Sequence, residues 1–451
     1  MVGRSRVFSL AGGAVNQLVE FSIENFRSIK ERVTLSLVAS KKLVSQEPTV
    51  DEGALFEVDE DLTLLKSIAI YGANASGKSN VMAAMNVMKG LVLNSSKETA
   101  ATQMLPVEPF RLDEKTISRP SSFEVVFLNA DVTYRYGFEA TTERITGEWL
   151  FASTGSKEQK LFVRTGDEIK VSRSRTFKEG KGLEERTRVN ALFLSVVAQF
   201  NGPVAVSIQK WFASSLKTIS GLDDAGYLGF TISRCDEDEW RQSIASFVRA
   251  LDVGIEDVSV SKIPLRDSLP HEMPPEIRQI LLSRGDREVA RISTTHSVYA
   301  EDGRPVSVSS FDFETQESEG TKKVFALAGP LIDTLRHGRV LFVDEIDARL
   351  HPLLTIEIIR LFNSRETNRL NAQLVFTTHD TNVLQSDVLR RDQVWFTEKN
   401  RLGASSLYSL LEYKPRNDSS LAKNYMQGRY GAIPILGALS SFMKSEVADA
   451  K

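Results

Sequence analysis

Three continuous apolar runs stand out along the chain, and polar residues follow each of them directly. The runs end at Gly72, at Asp344 and Glu345, and at His379. An uninterrupted apolar run is typical of a strand that is buried on both faces of a parallel sheet. Ligands of open α/β sheets bind at the carboxyl ends of the strands. The pattern therefore predicts an α/β fold with its functional residues gathered at one edge of a parallel sheet.

Elsewhere, apolar and polar residues alternate with the period of a strand that has one buried face. This alternation is found in residues 18–26, 123–128, 133–138 and 144–151, and it predicts an antiparallel sheet beside the parallel one. Apolar residues at helical spacing predict helices in residues 240–251, 324–335 and 354–362.

The first apolar run leads into a loop with the spacing of a phosphate-binding P-loop. Gly72 to Ser79 reads G-x-x-x-x-G-K-S, after a strand and before a helix. Glycines let successive backbone N–H groups point at one anion. Lys78 would reach the β- and γ-phosphates of ATP, and Ser79 would bind Mg²⁺. The alternative is a glycine-rich turn without a ligand. The residues expected to bind ATP here are Gly72, Ala73, Asn74, Ala75, Ser76, Gly77, Lys78, Ser79 and Asn80.

The residues after the other two runs have the chemistry that phosphoanhydride hydrolysis requires. Asp344 is expected to hold Mg²⁺ beside Ser79, and Glu345 to act as the base or to orient the attacking water. His379 is expected to hydrogen-bond the γ-phosphate or that water. Glu345, His379 and Lys78 are the expected catalytic residues, and Ser79 and Asp344 are the expected Mg²⁺ ligands. The alternatives are an ordinary polar strand end for the carboxylates and a structural role for the histidine.

A second small turn, Ser318 to Gly320, precedes a predicted helix and is a candidate anion site. Because the P-loop already has its own helix, this turn makes sense as part of the nucleotide site of a second subunit, arranged head to tail. Asp347 would then lie near the contact between the subunits. The alternative is a simple helix cap with Ser318 as N-cap.

These motifs divide the chain into four expected segments. Residues 1–17 form a flexible tail, and residues 18–151 form a first ATPase lobe with the P-loop. Residues 152–310 are expected to be an inserted, mainly helical subdomain, and residues 311–451 a second lobe with Ser318, Asp344 and His379. No heptad pattern lasts for the three or four repeats that a coiled coil needs.

Composition limits the remaining possibilities. The 451 residues are 41% hydrophobic and 25% charged, which is ordinary for a globular protein, and the net charge of −3 gives no overall signal for nucleic acid. Locally, residues 157–188 carry ten Lys/Arg against six Asp/Glu. That segment is either a nucleic-acid contact or a solvated face of mixed charge. The single cysteine, Cys235, excludes an intramolecular disulfide.

No run approaches the roughly 20 apolar residues of a membrane span. Residues 1–17 faintly resemble a signal sequence, but Gly12 and Gly13 interrupt the apolar part. We therefore expect a cytoplasmic protein without a membrane contact.

The ordered motifs resemble those of ABC-type ATPase heads, in particular the heads of structural-maintenance-of-chromosomes proteins and RecF. Residues 24–28 (ENFRS) are similar to the N-terminal strand of those heads. Residues 317–323 (ESEGTKK), 344–352 (DEIDARLHP), 377–380 (TTHD) and 428–434 (GRYGAIP) are similar to bacterial AAA-family ATP-binding proteins. That group includes abortive-infection and restriction-linked (Rlo-type) ATPases.

The resemblance implies an ABC-type P-loop head that works as a head-to-tail homodimer with ATP and Mg²⁺. It also implies a role in defence against phage, beside a separately encoded effector such as a nuclease. The other functions considered are a RecF-like DNA-binding repair ATPase and a nucleotide-dependent scaffold that hydrolyses slowly.

Four further residues or segments bear on this resemblance. The signature reads Ser-Glu-Gly rather than Ser-Gly-Gly, and Gln103 is a candidate for the Q-loop glutamine, with an ordinary surface position as the alternative. Only 72 residues follow His379, too few for the Toprim domain of related nucleases at typical domain sizes. The acidic residues 236–238 are expected to be solvated. We therefore predict no nuclease activity in this chain.

Overall fold

The computed structural model describes residues 16–44, 52–97, 103–155, 157–172, 175–251, 254–269, 273–283, 288–414 and 420–434. Most of the tail expected for residues 1–17 lies outside these ranges.

The described residues form 18 strands. They are β1 (Leu18–Glu24), β2 (Val33–Ser36), β3 (Leu55–Glu57), β4 (Thr63–Leu65), β5 (Ser67–Gly72), β6 (Ser121–Asn129), β7 (Val132–Ala140), β8 (Ile145–Ser153), β9 (Gln159–Thr165), β10 (Glu168–Val171), β11 (Leu216–Ser220), β12 (Asp257–Pro264), β13 (Glu288–Tyr299), β14 (Pro305–Asp312), β15 (Val340–Asp344), β16 (Gln373–Thr377), β17 (Val394–Lys399) and β18 (Ser405–Ser409).

Fourteen α-helices accompany them in the same ranges. They are α1 (Lys41–Val44), α2 (Lys78–Asn94), α3 (Glu114–Ile117), α4 (Phe193–Gln199), α5 (Pro203–Lys210), α6 (Ala225–Arg234), α7 (Asp238–Ala250), α8 (Leu265–Ser268), α9 (Pro275–Leu282), α10 (Phe313–Gln316), α11 (Glu319–His337), α12 (Pro352–Asn363), α13 (Asn382–Gln385) and α14 (Leu421–Met426). A π-helical turn, Trp211–Ser215, follows α5.

Six strands form the central sheet, in the order β11-β15-β16-β5-β17-β18. The first five are parallel, and β18 pairs antiparallel with β17. Every residue of β5 and β16 is buried, which explains why their sequences are continuously apolar. The three apolar runs are thus neighbouring strands, and their carboxyl ends meet at one edge of the sheet, as predicted.

The two faces of the central sheet bury alternate residues against different partners. Ile70 belongs to a core that it shares with Met85 of α2 and Phe123 of the antiparallel sheet. Its neighbour Tyr71 points to the opposite face, where Leu327 of α11 belongs to the same core. Successive strand residues point to opposite faces, so β5 is covered on both sides.

The antiparallel sheet has seven strands, in the order β10-β9-β8-β7-β6-β1-β2. Its strands β1, β6, β7 and β8 coincide with the four alternating segments of the sequence, which confirms those predictions. The sheet packs on α2, so the helix that follows the P-loop lies between the two sheets.

Residues 152–310 contribute to three sheets and also contain helices α4 to α9. Strands β9 and β10 extend the antiparallel sheet, and β11 forms an edge of the central sheet. Strands β12, β13 and β14 make a separate antiparallel sheet, in which Val258 and Ile292 share a core with Ile244 and Val248 of α7. The segment is therefore joined to both main sheets by strands.

Helix α11 continues through Pro330 without a break in its assignment. Proline has no backbone N–H and leaves the carbonyl four residues earlier without its usual donor. Here that carbonyl, of Ala326, accepts a hydrogen bond of 2.7 Å from Thr231 Oγ1 of α6. Gly329 allows this close approach, since a Cβ there would lie 2.9 Å from the Thr231 Cα.

Within the part of the chain that the structure describes, the longest helix is α11, with 19 residues. No long coiled coil is present there. None of these helices is long and apolar enough to span a bilayer.

Candidate functional site: a P-loop beside the ends of two acidic strands

The P-loop connects β5 to α2 through a backbone that favours anions. Ala75 and Gly77 have positive φ angles of 62° and 113°. Such alternation of backbone conformation turns successive N–H groups toward one concave point, which is an anion-binding arrangement. At Gly77 a Cβ would lie 2.5 Å from Ser405 Oγ, so only glycine fits between the loop and β18.

Polar side chains distant in sequence brace this loop. Ser76 Oγ and Thr397 Oγ1 are 2.6 Å apart, and Ser405 Oγ donates to the Ser76 carbonyl at 2.6 Å. Asn80 Nδ2 donates to Ser28 Oγ at 2.6 Å. The ENFRS segment and β18 therefore both hold the P-loop, a role that the sequence did not indicate for Thr397 or Ser405.

Lys78 is 4% exposed, and its ammonium group donates to the carbonyls of Gly72 and Ala73 at 2.9 and 3.2 Å. Burial lowers the pKa of Lys78, and the nearby carboxylates of Glu345, Asp344 and Asp347 oppose that shift. Only β16 separates β15 from β5, and the three strands are parallel, so the carboxylates at the end of β15 lie at the same edge of the sheet as the P-loop lysine.

Asp344 and Glu345 share one buried hydroxyl at the end of the neighbouring strand. Thr377 Oγ1 donates to Asp344 Oδ1 at 2.7 Å and accepts from the Glu345 N–H at 2.7 Å. Glu345 has a positive φ of 53°, which a non-glycine residue adopts only when its surroundings hold it there. The backbone thus sets the direction in which the Glu345 side chain leaves the chain.

His379 follows β16, and its N–H donates to Asp347 Oδ2 at 3.3 Å. Partial burial lowers the pKa of the His379 ring, and the Lys78 ammonium lowers it further, while Asp347, Glu345 and Asp344 oppose both effects. Within the described residues, Asp347 Oδ1 is buried without a hydrogen-bond partner. The structure therefore brings Lys78, Asp344, Glu345 and His379 to one place.

The Ser318–Gly320 turn contacts the loop after β15. Ser318 is the N-cap of α11, because its Oγ accepts from the Thr321 N–H at 3.1 Å. Arg349 Nη1 lies 3.5 Å from Glu319 Oε2. Within its own chain, Ser318 therefore acts as a helix cap, which is the alternative that the sequence left open. Ser318 is also exposed, so the N-terminus of α11 is accessible.

A comparison with known protein families identifies this arrangement. The family described as "AAA domain, putative AbiEii toxin, Type IV TA system" matches residues 67–385. The chain belongs to this family. That span runs from β5 to α13, so it contains the P-loop, the turn before α11 and the acidic strand ends.

Solved structures similar to this family member include ATPase heads of two kinds. The structural-maintenance-of-chromosomes head domain from Thermotoga maritima is 14% identical, with a TM-score of 0.38, and 87% of this chain and 98% of that chain are covered. The corresponding head from Pyrococcus furiosus, bound to the C-terminal domain of ScpA, is 12% identical at a TM-score of 0.42, with 88% and 98% covered. The recombination mediator RecF is 15% identical at 0.35, with 88% and 99% covered.

These structural likenesses are remote, and no curated protein matches the chain. The α/β part of the predicted fold class is confirmed: this family member carries its P-loop and acidic strands on a parallel sheet, with an antiparallel sheet beside them.

The other residues singled out in the sequence lie away from this site. Gln103 is exposed, and its carbonyl accepts from Asn190 Nδ2 at 3.3 Å, so its assignment to a Q-loop stays a prediction. Cys235 is buried, which raises the pKa of its thiol to about 11. The acidic residues after it form surface ion pairs with Lys262, Arg234 and Arg241.

Proposed function

We propose that this protein binds and hydrolyses ATP as a head-to-tail homodimer. The observation that carries the proposal is the convergence of Lys78, Asp344, Glu345 and His379 at the carboxyl ends of β5, β15 and β16. Phosphoanhydride hydrolysis needs several groups in one place. Here they are a loop that binds phosphate, carboxylates at a strand end, and an imidazole ring that stays neutral.

The phosphate site fits a triphosphate. The loop backbone supplies N–H donors, and the Lys78 ammonium, held by two loop carbonyls, is already beside the cradle. ATP would exchange those neutral acceptors for anionic phosphate oxygens, which form stronger hydrogen bonds to an ammonium group.

The residues present also fit Mg²⁺. Ser79 is exposed at the first turn of α2, and Asp344 uses its Oδ1 for Thr377, so its other oxygen is available to a cation. Hydroxyl, carboxylate and phosphate oxygens are the ligands that Mg²⁺ prefers. When bound, the ion would neutralise charge on the phosphates.

Glu345 and His379 would act on the water. The Glu345 carboxylate, whose backbone Thr377 fixes, is placed to accept a proton from the water or to orient it. A His379 ring kept neutral by its lowered pKa would hydrogen-bond the γ-phosphate region without adding a fixed charge.

The Ser318–Gly320 turn would complete the site of a second subunit. Ser318 and Glu319 are exposed, and the N-terminus of a 19-residue helix attracts an anion. Since this turn contacts the loop after β15 rather than bracing the P-loop of its own chain, we place it against the nucleotide of the partner.

The test is Glu345→Gln, with the exposed Glu357→Gln as matched control. We expect the wild type to hydrolyse Mg²⁺-ATP, and Glu345→Gln to lose hydrolysis while keeping ATP binding and accumulating as an ATP-bound dimer in light scattering. The control should behave like the wild type. Absence of hydrolysis by the wild type, or a strictly monomeric Glu345→Gln protein with ATP bound, would contradict the proposal.

We further propose that the dimer is a cytoplasmic switch in anti-phage defence that controls a separately encoded effector, of the abortive-infection or Rlo-like kind. The abortive-infection toxin in the family description supports this role. Co-purification of the full-length protein with the product of the neighbouring gene, dependent on ATP, is the expected result. Purification of the protein alone under both conditions would count against effector control.

A second candidate is nucleic-acid binding, as in a RecF-like repair ATPase. It is favoured by residues 157–188, where Glu158 is paired with Arg135 of β7 and Asp167 with Arg144 just before β8. Among the exposed residues of this segment are five lysines: Lys157, Lys160, Lys170, Lys178 and Lys181. DNA binding that weakens steeply with salt, together with DNA-stimulated hydrolysis, would favour this function.

A further inference from the structure

A fully buried lysine lies on α11, about one turn from the start of the helix. Lys323 of α11 is 0% exposed, and its Nζ donates to the Gly221 carbonyl and to the Tyr227 hydroxyl. Burial lowers the pKa of Lys323 to about 8. An ammonium group buried among neutral partners costs folding free energy, so packing alone does not explain a lysine at this position.

The acceptor of Lys323, Gly221, lies directly on the peptide that joins Asp344 and Glu345. It follows β11, whose Ser220 pairs with Asp344, and its N–H donates to the Asp344 carbonyl at 2.5 Å. A Cβ on Gly221 would collide with the Glu345 carbonyl oxygen. The position of Gly221 therefore determines the position of the peptide between Asp344 and Glu345.

That peptide sets the direction of the Glu345 side chain, because Glu345 adopts a positive φ of 53°. Two groups hold it: Thr377 from β16 and Gly221 from β11. Lys323 fixes the second of these groups from the side of α11. A shift of α11 would thus reach Glu345 through a single buried carbonyl.

The charged groups around Lys323 are more exposed than Lys323 itself. They connect α11, the start of α6 and the loop after β15 only weakly. Asp224 at the start of α6 raises the pKa of Lys323, and Arg349 lowers it. Arg349 Nη1 lies 3.5 Å from both the Asp224 and the Glu319 carboxylates. Such solvent-facing pairs contribute little, which leaves Lys323 as the buried connection.

We propose that Lys323 is a positioning residue that holds the Glu345 carboxylate in its hydrolytic orientation and links it to the Ser318–Gly320 turn on the same helix. This inference rests on the proposed ATPase function. In a head-to-tail dimer the turn meets the nucleotide of the partner, whereas Glu345 acts on the nucleotide of its own chain. Lys323 would therefore couple the two sites of the dimer.

The matched control for Lys323 is Lys89 of α2. Lys89 is half-buried, burial lowers its pKa, and its Nζ donates to the Leu216 carbonyl at 2.6 Å. Leu216 begins β11 and Gly221 follows its end, so the two lysines bind carbonyls at opposite ends of one strand. Of these two lysines, only Lys323 does so beside the peptide that joins Asp344 and Glu345.

The first measurement compares Lys323→Met with Lys89→Met in steady-state hydrolysis and ATP binding. We expect Lys323→Met to lower kcat about tenfold or more, with the Kd for ATP changed less than about threefold, because positioning acts on the transition state rather than on binding. Lys89→Met should leave both quantities near the wild type. An unchanged kcat in Lys323→Met would overturn the proposal.

The second measurement is hydrogen–deuterium exchange of the full chain without nucleotide, which does not depend on hydrolysis. Lys323→Met should speed exchange in residues 218–223 and 343–347, and Lys89→Met should not. Unchanged exchange at 343–347, or a uniform increase over the whole chain, overturns the proposal whatever the rate does. If the wild type hydrolyses no ATP but this local increase is seen, the proposed function fails and the positioning contact stands.

Discussion

Thr377 holds both acidic residues at the end of β15 with a single hydroxyl. Its Oγ1 donates to the Asp344 carboxylate and accepts from the Glu345 N–H, so it fixes the candidate metal ligand and the candidate base together. Its side chain is fully buried, where an unmet hydrogen bond is costly. One oxygen atom therefore serves both stability and the orientation of the site.

Replacing Thr377 by valine, which has the same shape, should affect both properties. We expect the free energy of unfolding to fall by about 1–3 kcal/mol, because the Glu345 N–H loses its acceptor. We expect kcat to fall about tenfold or more, since a displaced carboxylate loses its near-attack geometry. Denaturant unfolding and steady-state hydrolysis measure the two effects.

The control is Thr367→Val, at an exposed threonine whose hydroxyl donates to the Leu361 carbonyl. It should change the free energy of unfolding by less than about 1 kcal/mol and leave kcat unchanged. A Thr377→Val protein that matches this control in both measurements would show that the shared hydroxyl is unimportant.

His379 predicts a pH dependence of known sign. Its pKa lies below the ordinary 6.5, chiefly because of burial and Lys78, so the ring stays neutral at pH 7 and gains a proton only at lower pH. We expect kcat to decline on the acid side with a midpoint below 6.5, and this component to vanish in His379→Gln. A midpoint above 6.5, or an acid limb that is identical in the variant, would assign the titration to another group.

The residues of the site differ in how far the sequence could reveal them. Lys78, Asp344 and His379 follow apolar runs directly, so local spacing and strand type were sufficient to place them. Thr397 and Ser405 brace a serine more than 300 residues earlier in the chain. No local pattern specifies such a pairing, because it depends on which strands become neighbours in the sheet.

At the scale of elements, α11 joins most of the features discussed. Ser318 caps its start, Lys323 lies on its buried side, and the helix passes through Pro330 with the help of a threonine from α6. The Thr231 hydroxyl replaces the donor that Pro330 lacks, so α6 and α11 are tied at the point where α11 is weakest.

A double-mutant cycle tests this tie. Thr231→Val should lower the free energy of unfolding by about 1–3 kcal/mol, because the Ala326 carbonyl becomes an unmet buried acceptor. In a Pro330→Ala background the backbone N–H of residue 330 can donate to the Ala326 carbonyl. Thr231→Val should therefore lower the free energy of unfolding by less in that background. Equal costs in both backgrounds, measured by denaturant unfolding, would show that the hydroxyl does not compensate for the proline.

The strands that the sequence predicted most clearly are the ones that are most deeply buried. β5, β15 and β16 are buried on both faces, and their apolar sequences showed them clearly. β11 is short and mostly half-buried, and β12 is largely exposed, so neither has a strong periodic pattern. Which sheet a strand joins is decided by its partners, and for this reason no local pattern indicated that residues 152–310 contribute strands to both main sheets.

At the scale of the molecule, one chain carries both a P-loop and the Ser318–Gly320 turn. We propose that the P-loop binds the nucleotide of its own chain and that the turn contacts the nucleotide of the partner. The acidic strand ends lie by the P-loop, whereas Ser318 caps an exposed helix end beside Arg349. A two-fold dimer would bring each turn to the P-loop of the other chain, and both sites would form at once. Catalysis would then depend on assembly, as a switch requires.

Subunit mixing tests this composite site most directly. One variant, Lys78→Ala, lacks the P-loop ammonium but keeps its signature turn, and the other, Ser318→Arg, has the reverse defect. Each alone should be inactive. After mixing, about half of the dimers should be mixed and hold one intact site of two, so about a quarter of the wild-type hydrolysis rate should return. If the mixture stays inactive while both variants are folded and Ser318→Arg still binds ATP, the nucleotide site is not shared between subunits.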